Sequence, residues 1–222
     1  MQHEQSVADA FNEYMRERAK QLGRRVHSFS LDGQDRDAGA DYLLTDANRF
    51  ALVEFKYSEG NLVSEKHKSR RLSLCRGLEQ RMDMRSLHDL CHFIAWTSGQ
   101  PLAVKVNIYR HEICNRSVFG SDCGLNQSSP DATGRAGAGS FATEFLTAAN
   151  SRSLSFREFE IYLAWLLADT SASTSSTLEL LTRNSNLNDL TMVRLNSIAE
   201  AQAWLQAHSP PAPAPRRRHR GI

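Results

Sequence analysis

The 222-residue chain has no apolar run near the ~20 residues needed to span a bilayer, so no membrane partner is expected. The first residues, MQHEQSVADAFNEYM, are acidic and amphipathic and carry no signal-peptide pattern, which points to the cytoplasm. Cysteine is scarce. Cys75, Cys91, Cys114 and Cys123 form no Cys-x-x-Cys pair, and four in a chain of this length do not suggest a disulfide framework. There is no Gly-rich phosphate loop, nucleophile elbow or dinucleotide fingerprint, which removes the usual grounds for P-loop, α/β-hydrolase or NAD chemistry. No internal repeat is present. Charge of one sign is lacking too: the net value is +2, so local clustering must decide whether nucleic acid is a partner.

With 41% hydrophobic and 23% charged residues, the composition is that of an ordinary globular protein with one well-filled core or two small ones. Ser6 to Leu22 reads as a helix, with Val7, Ala10, Phe11, Tyr14 and Leu22 at helical spacing and Gly23 as the stop. RRVHSFSL is a strand and DGQDRDAGA is turn chemistry; Asp32, Asp35 and Asp37 do not follow the EF-hand order. DYLLT and RFALVEFKYS are two strands joined by a DAN turn. A long helix is expected from about Ser64 to His88, with Ser64 as N-cap. CHFIAWT then reads as a strand buried on both faces, which makes a parallel crossover unit, and LAVKVNIY as a strand with one wet face. Residues 115–140 are Gly-, Ser- and Asp-rich and read as a flexible loop. Helix returns at FATEFLTAAN and at SFREFEIYLAWLLAD, where Ser155 and Glu158 form a capping box. SASTSST is a linker, TMVRLN a strand, and SIAEAQAWLQAH a helix with a second box, Ser197 and Glu200. The division expected is a core over 1–114, the loop 115–140, an α/β extension packed on that core over 141–208, and a disordered Pro/Arg tail over 209–222.

The run ALVEFKYSEG holds an oddity, a carboxylate and an ammonium inside an apolar strand. Residues i and i+2 share a face, so Phe50, Leu52, Glu54 and Lys56 point one way and Ala51, Val53, Phe55 and Tyr57 the other. Twelve residues separate Asp41 from Glu54, and a hairpin of that length returns the chain beside its own start. Asp41 can then stand near Glu54 at one end of the sheet. Two carboxylates make an oxygen-rich seat for a hard divalent cation, Mg²⁺ or Mn²⁺, with a strand carbonyl near Phe55 as a candidate further ligand. Lys56 could orient or help deprotonate a bound water, or neutralise charge on a pentavalent phosphorus. Those tasks match metal-assisted phosphodiester hydrolysis. The bland alternative is a salt bridge between Lys56 and Glu54 or Asp41 at a strand end.

GAD, twelve residues, then EFK resembles the PD-(D/E)xK nuclease superfamily, and the order helix, three strands, helix, strand over roughly residues 6–110 is similar as well. The resemblance implies an α/β, restriction-endonuclease-like core with a central mixed sheet flanked by helices, here with a C-terminal helical extension. It implies that Asp41 and Glu54 are metal ligands, Lys56 is the catalytic lysine, and a glutamate of the first helix completes the site. Glu13 and Glu17 both qualify; Glu13 is preferred because it borders the Ala10 and Tyr14 face. Ala40 stands where the motif has proline, with Gly39 to Asp41 forming the Gly-x-Asp version.

The expected activity is endo- or exonucleolytic cleavage of DNA. Between Lys66 and Arg85 seven Lys and Arg face Glu65, Glu79 and Asp83, a local +4, and Lys66, Lys68, Arg70 and Arg71 are the expected backbone contacts. Cutting both strands would require a second subunit, hence a homodimer. A catalytically silent nucleic-acid-binding or protein-interaction module of the same fold is the competing reading. His88, Cys91, His111 and Cys114 make two His-x-x-Cys spacings, but a small buried cysteine is the better reading, so zinc is not favoured.

Overall fold

A computed structural model of the chain describes residues 2–31, 39–46, 48–68, 70–147, 152–170, 178–184 and 189–195, with 200, 203, 204 and 207. The acidic turn at 32–38, the linker at 171–177, the capping serine at 197 and the basic tail lie outside the described residues.

Helix α1 (Gln2–Gln21) ends at Gly23, whose φ of +67° suits a residue without Cβ. Its buried stripe is Val7, Phe11, Met15 and Ala19; Ala10 and Leu22, expected on that stripe, are exposed. Strands β1 (His27–Ser30), β2 (Tyr42–Thr45) and β3 (Arg49–Ser58) follow as an antiparallel meander. The β2–β3 turn is fixed by Asp46, whose Oδ1 accepts from the backbone N–H groups of Asn48 and Arg49.

The long helix expected from Ser64 to His88 is instead three pieces. A 3₁₀ segment covers Glu59–His67, then come α2 (Arg71–Gln80) and α3 (Met82–Cys91). Arg70 takes a left-handed φ of +78°, which no L-residue carries through a helix, and the chain turns there. Ser64 lies inside the 3₁₀ segment and caps nothing. The crossover delivers β4 (His92–Ser98) parallel to β3, and β5 (Ala103–Ile108) pairs back antiparallel. Short helices α4 (Tyr109–Ile113) and α5 (Arg116–Phe119) open the stretch to residue 140. That stretch is held on the core by bonds such as Asn126 N–H to Glu79 and Asn107 Nδ2 to the Asp131 carbonyl.

Beyond it lie β6 (Ala136–Gly137), α6 (Ala138–Leu146), β7 (Leu154–Ser155) and α7 (Phe156–Thr170). The Glu158 half of the expected capping box forms: the Ser155 backbone N–H and hydroxyl both donate to Glu158 Oε2. Strands β8 (Leu178–Asn184) and β9 (Asp189–Leu195) form a hairpin; β9 answers to TMVRLN, while β8 was not anticipated. The result is a mixed open sheet of order β6-β5-β4-β3-β2-β1-β8-β9, with β7 beside the start of β3.

Alternation along β3 divides the molecule. Ala51, Val53 and Phe55 join the cluster under α1 and α6, where Phe11 meets Phe55 edge-on at 5.3 Å. Phe50 and Leu52 join the cluster under α2 and α7, with Phe50 stacked on Phe159 at 5.4 Å. Glu54 and Lys56 continue this second face and are buried with it. No helix among the described residues is long and apolar enough to cross a membrane.

A buried charge cluster as candidate active site

Asp41 follows a tight turn at Gly39 and Ala40. Its N–H donates to the Val53 carbonyl and its own carbonyl accepts from Leu31, so the backbone is pinned between β1 and β3. Its Oδ2 accepts from the Phe55 N–H at 2.7 Å, which turns the carboxylate toward Glu54. Gly39 holds φ +72°, and a Cβ there would lie 3.0 Å from Arg71 Nη1 and 3.2 Å from His92 Cε1. Only glycine fits that approach.

Glu54 is fully buried, and Lys56 Nζ donates to its Oε1 at 2.6 Å. Lys68 Nζ donates to the same oxygen at 2.5 Å. Glu65, from the 3₁₀ segment, is equally buried and closes the cluster: Lys56 Nζ is 3.0 Å and Lys68 Nζ 3.2 Å from its Oε1. Arg71 Nε donates to Glu65 Oε2 at 2.9 Å and the Tyr109 hydroxyl donates to it at 2.7 Å. Three carboxylates, Asp41, Glu54 and Glu65, thus stand against three cations, Lys56, Lys68 and Arg71. Of these cations Lys68, with a side chain 28% exposed, is the one that reaches the surface appreciably.

The charges share the site unequally. Burial, then the Glu65 and Asp41 charges, push Glu54 up to about 7 against the pull of its two lysines. Burial pushes Glu65 up as well, but Lys56, Arg71 and Lys68 together hold it well below the carboxylate range. Asp41 is raised by burial and partly restrained by the Phe55 N–H and the two lysines. Burial alone would lower Lys56; Glu54 and Glu65 override it and keep the ammonium protonated beyond the ordinary lysine range. Two carboxylate oxygens of the cluster remain without a hydrogen-bond partner: Glu65 Oε1, which has only the ion-pair contacts to Lys56 and Lys68, and Glu54 Oε2, with Arg71 Nη2 no nearer than 3.9 Å.

The fold therefore brings Asp41, Glu54 and Lys56 together, and leaves Glu13 out. Helix α1 spends Phe11 and Met15 on the opposite face of β3, so Glu13 is exposed, in a cleft with Asp9, Asn12, Arg16 and Tyr42; Glu17 is exposed too. The expected phosphate contacts also divide. Lys66 is exposed and Arg70 half-buried, whereas Lys68 turns toward the carboxylates and Arg71 is buried among them. Four site residues went unread: Glu65, Tyr109, His92 and Tyr162. Glu65 carried a usable signal, since Glu65, Lys68 and Arg71 repeat every three residues and so share a side of the turn.

Cys75 and Cys114 form a disulfide with Cα atoms 5.1 Å apart, a single bridge and not a framework, while Cys91 and Cys123 are free and buried. The bond joins α2 to the end of α4 across 39 residues, which spacing cannot show. His88 accepts from the Arg110 N–H and bonds Tyr162. Among the described residues no three His, Cys, Asp or Glu are grouped to hold a metal ion. Asp41 and Glu54 are a two-carboxylate donor set, and Glu54 Oε2 is buried with no hydrogen-bond partner. Mg²⁺ commonly takes one or two carboxylates and fills its shell with water and substrate phosphate, so the set fits that ion.

Comparison with protein-family models, with curated proteins and with solved structures finds no match to this chain.

Proposed function

We propose that this cluster is the active site of a Mg²⁺- or Mn²⁺-dependent nuclease of the PD-(D/E)xK type, acting on phosphodiester bonds in DNA in the cytoplasm. The observation that carries the reading is the convergence of Asp41, Glu54 and Lys56, with Glu54 Oε2 left without a hydrogen-bond partner, at the junction of an antiparallel β2–β3 pair with a parallel β3–β4 pair. The order helix, three strands, helical crossover, parallel strand supports that reading.

Asp41 and Glu54 would hold the cation, which supplies Lewis-acid polarisation and a more acidic bound water. The rest falls to the chain. Lys56 is held as an ammonium by Glu54 and Glu65, so it serves as a hydrogen-bond donor to an anionic phosphoryl oxygen and not as a base. Lys68 stands at the mouth, where an entering phosphate can share it with Glu54. Glu65, fixed by Arg71 and Tyr109, keeps both lysines in place. Without metal the six charges balance; a divalent cation would leave the site at +2, which matches an anionic substrate. Lys66 and Arg70, outside the cluster, would follow the phosphate backbone without reading sequence.

A binding module of the same fold is the second reading. It is favoured by the closure of the cluster, in which Glu54 Oε1 already serves two lysines. The two part company in one assay. Plasmid, linear duplex, single-stranded DNA and RNA are incubated with the protein, with Mg²⁺, with Mn²⁺ and with chelator. A nuclease cleaves only with metal, and Asp41→Ala or Glu54→Ala each lowers the rate by about a thousandfold, or ~4 kcal/mol of transition-state stabilisation. Binding that is indifferent to metal and yields no product would support the module instead.

A further inference from the structure

Helix α7 lies in the C-terminal extension, yet Tyr162 reaches the turn that carries Asp41. Its hydroxyl is 2.7 Å from His88 Nδ1 and 2.8 Å from His92 Nδ1. His92 Nε2 is 2.8 Å from the Gly39 carbonyl, and the Arg110 N–H lies 3.3 Å from His88 Nε2. All three side chains are fully buried. Burial lowers both rings, His92 to about 3 and His88 well below the ordinary value, so both are neutral at physiological pH.

The proton positions then follow from donor and acceptor chemistry. A carbonyl only accepts, so His92 carries its proton on Nε2 and its Nδ1 must accept. Tyr162 has one proton and gives it to that Nδ1. His88 must therefore donate from Nδ1 to the tyrosine oxygen, which leaves its Nε2 to accept from Arg110, as observed. Each donor meets an acceptor, from the Arg110 amide to the Gly39 carbonyl two residues before Asp41. The same His92 ring packs against Tyr109, 4.9 Å away, which in turn holds Glu65.

We infer that Tyr162 is a positioning residue for the Asp41 carboxylate, acting through the His92 tautomer and the Gly39 carbonyl, so that helix α7 is part of the active site and not an appendage to it. The catalytic side of this inference rests on the nuclease reading; the positioning side does not.

Imidazole ¹⁵N spectra of the full chain test the first step. His88 is expected as the Nδ1–H tautomer and His92 as Nε2–H; an Nδ1–H tautomer at His92 would overturn the inference without any variant. Tyr162→Phe tests the second step. With no donor to His92 Nδ1, the Gly39 turn loosens and the Phe55 N–H, which donates to Asp41, exchanges about tenfold faster, the effect of one lost buried partner. Amides of the β4–β5 pair stay as they were. Cleavage of duplex DNA by the same variant falls in kcat with KM unchanged. In His92→Gln the amide supplies a donor in place of Nε2 and needs no partner at Nδ1, so adding Tyr162→Phe to it has little further effect. Phe55 exchange unchanged by Tyr162→Phe would overturn the inference whether or not the protein cleaves DNA. A wild type that cleaves nothing but shows the expected tautomers and exchange would strike the nuclease reading alone. Should Tyr162→Phe not fold, the His92 tautomer in the unaltered chain decides.

Discussion

His92 shows how much one residue can carry. It is a buried ring that must stay neutral, and the unfolded chain imposes no such demand. Its folded pKa of about 3 lies below the ordinary 6.5, so below pH 6.5 the unfolded state binds the extra proton and stability is lost as pH falls. The stability gap between wild type and His92→Gln is therefore expected to shrink on acidification. Between roughly pH 6.5 and 5 the change is about 1.4 kcal/mol per pH unit, because other groups cancel in the difference. Urea unfolding of both proteins across that range checks it. A gap independent of pH would mean that the ring is charged in the fold. Asp41, Glu54 and Lys56 were legible from the sequence because strand alternation and hairpin length are local rules. Glu65 shows only in its three-residue spacing with Lys68 and Arg71, and Tyr109 not at all, because it reaches the cluster through α4, whose path depends on packing. The His88–Tyr162 contact spans 74 residues and no periodicity encodes it.

At the scale of elements, strands β2 to β5 read to within a residue or so at each end while the crossover did not. RFALVEFKYS is β3 in full, since a run apolar on one face and mostly so on the other has little choice but the centre of a sheet. The stretch from Lys66 to Arg85 looked like one basic helix because it lacks proline and has helical spacing. It breaks at Arg70 because Lys68 and Arg71 are drawn inward to Glu54 and Glu65. The basic residues therefore have different jobs. Arg71→Ala removes one partner of a buried pair and is expected to destabilise the fold by about 3–5 kcal/mol, measured by denaturant unfolding. Lys66→Ala leaves stability nearly untouched. If Lys66 follows a duplex backbone, its loss shallows the slope of log affinity against log salt by about 0.9. A slope that does not change would assign Lys66 to solvent. On α7, Ser155→Ala removes the hydroxyl that donates to Glu158 and should cost about 1 kcal/mol.

The whole molecule is a mixed sheet with one core on each face, and the charge cluster continues the face under α2 and α7. Such a placement is unfavourable for stability alone, since two buried carboxylates and the half-buried Asp41 must each lose water. The fold registers that burden at Glu54, whose pKa rises from 4.5 to about 7. A raised carboxyl pKa means that the folded state prefers the protonated form, so above pH 7 the charge weakens the fold, and the penalty disappears as pH falls below 4.5. A neutral Gln at this position should relieve it by up to about 3 kcal/mol, on the order of 5–10 °C in a chain of this size. A divalent cation relieves it differently, by binding the folded site only.

Thermal melting of wild type and Glu54→Gln, at pH 8 in chelator and in millimolar Mg²⁺, therefore tests the metal site most directly. The expected result is a wild type that melts lower than Glu54→Gln in chelator and rises with Mg²⁺, beside a variant that ignores the ion. A wild type blind to Mg²⁺, with Glu54→Gln melting lower than it in chelator, would contradict the metal site and leave a closed network of ion pairs in its place.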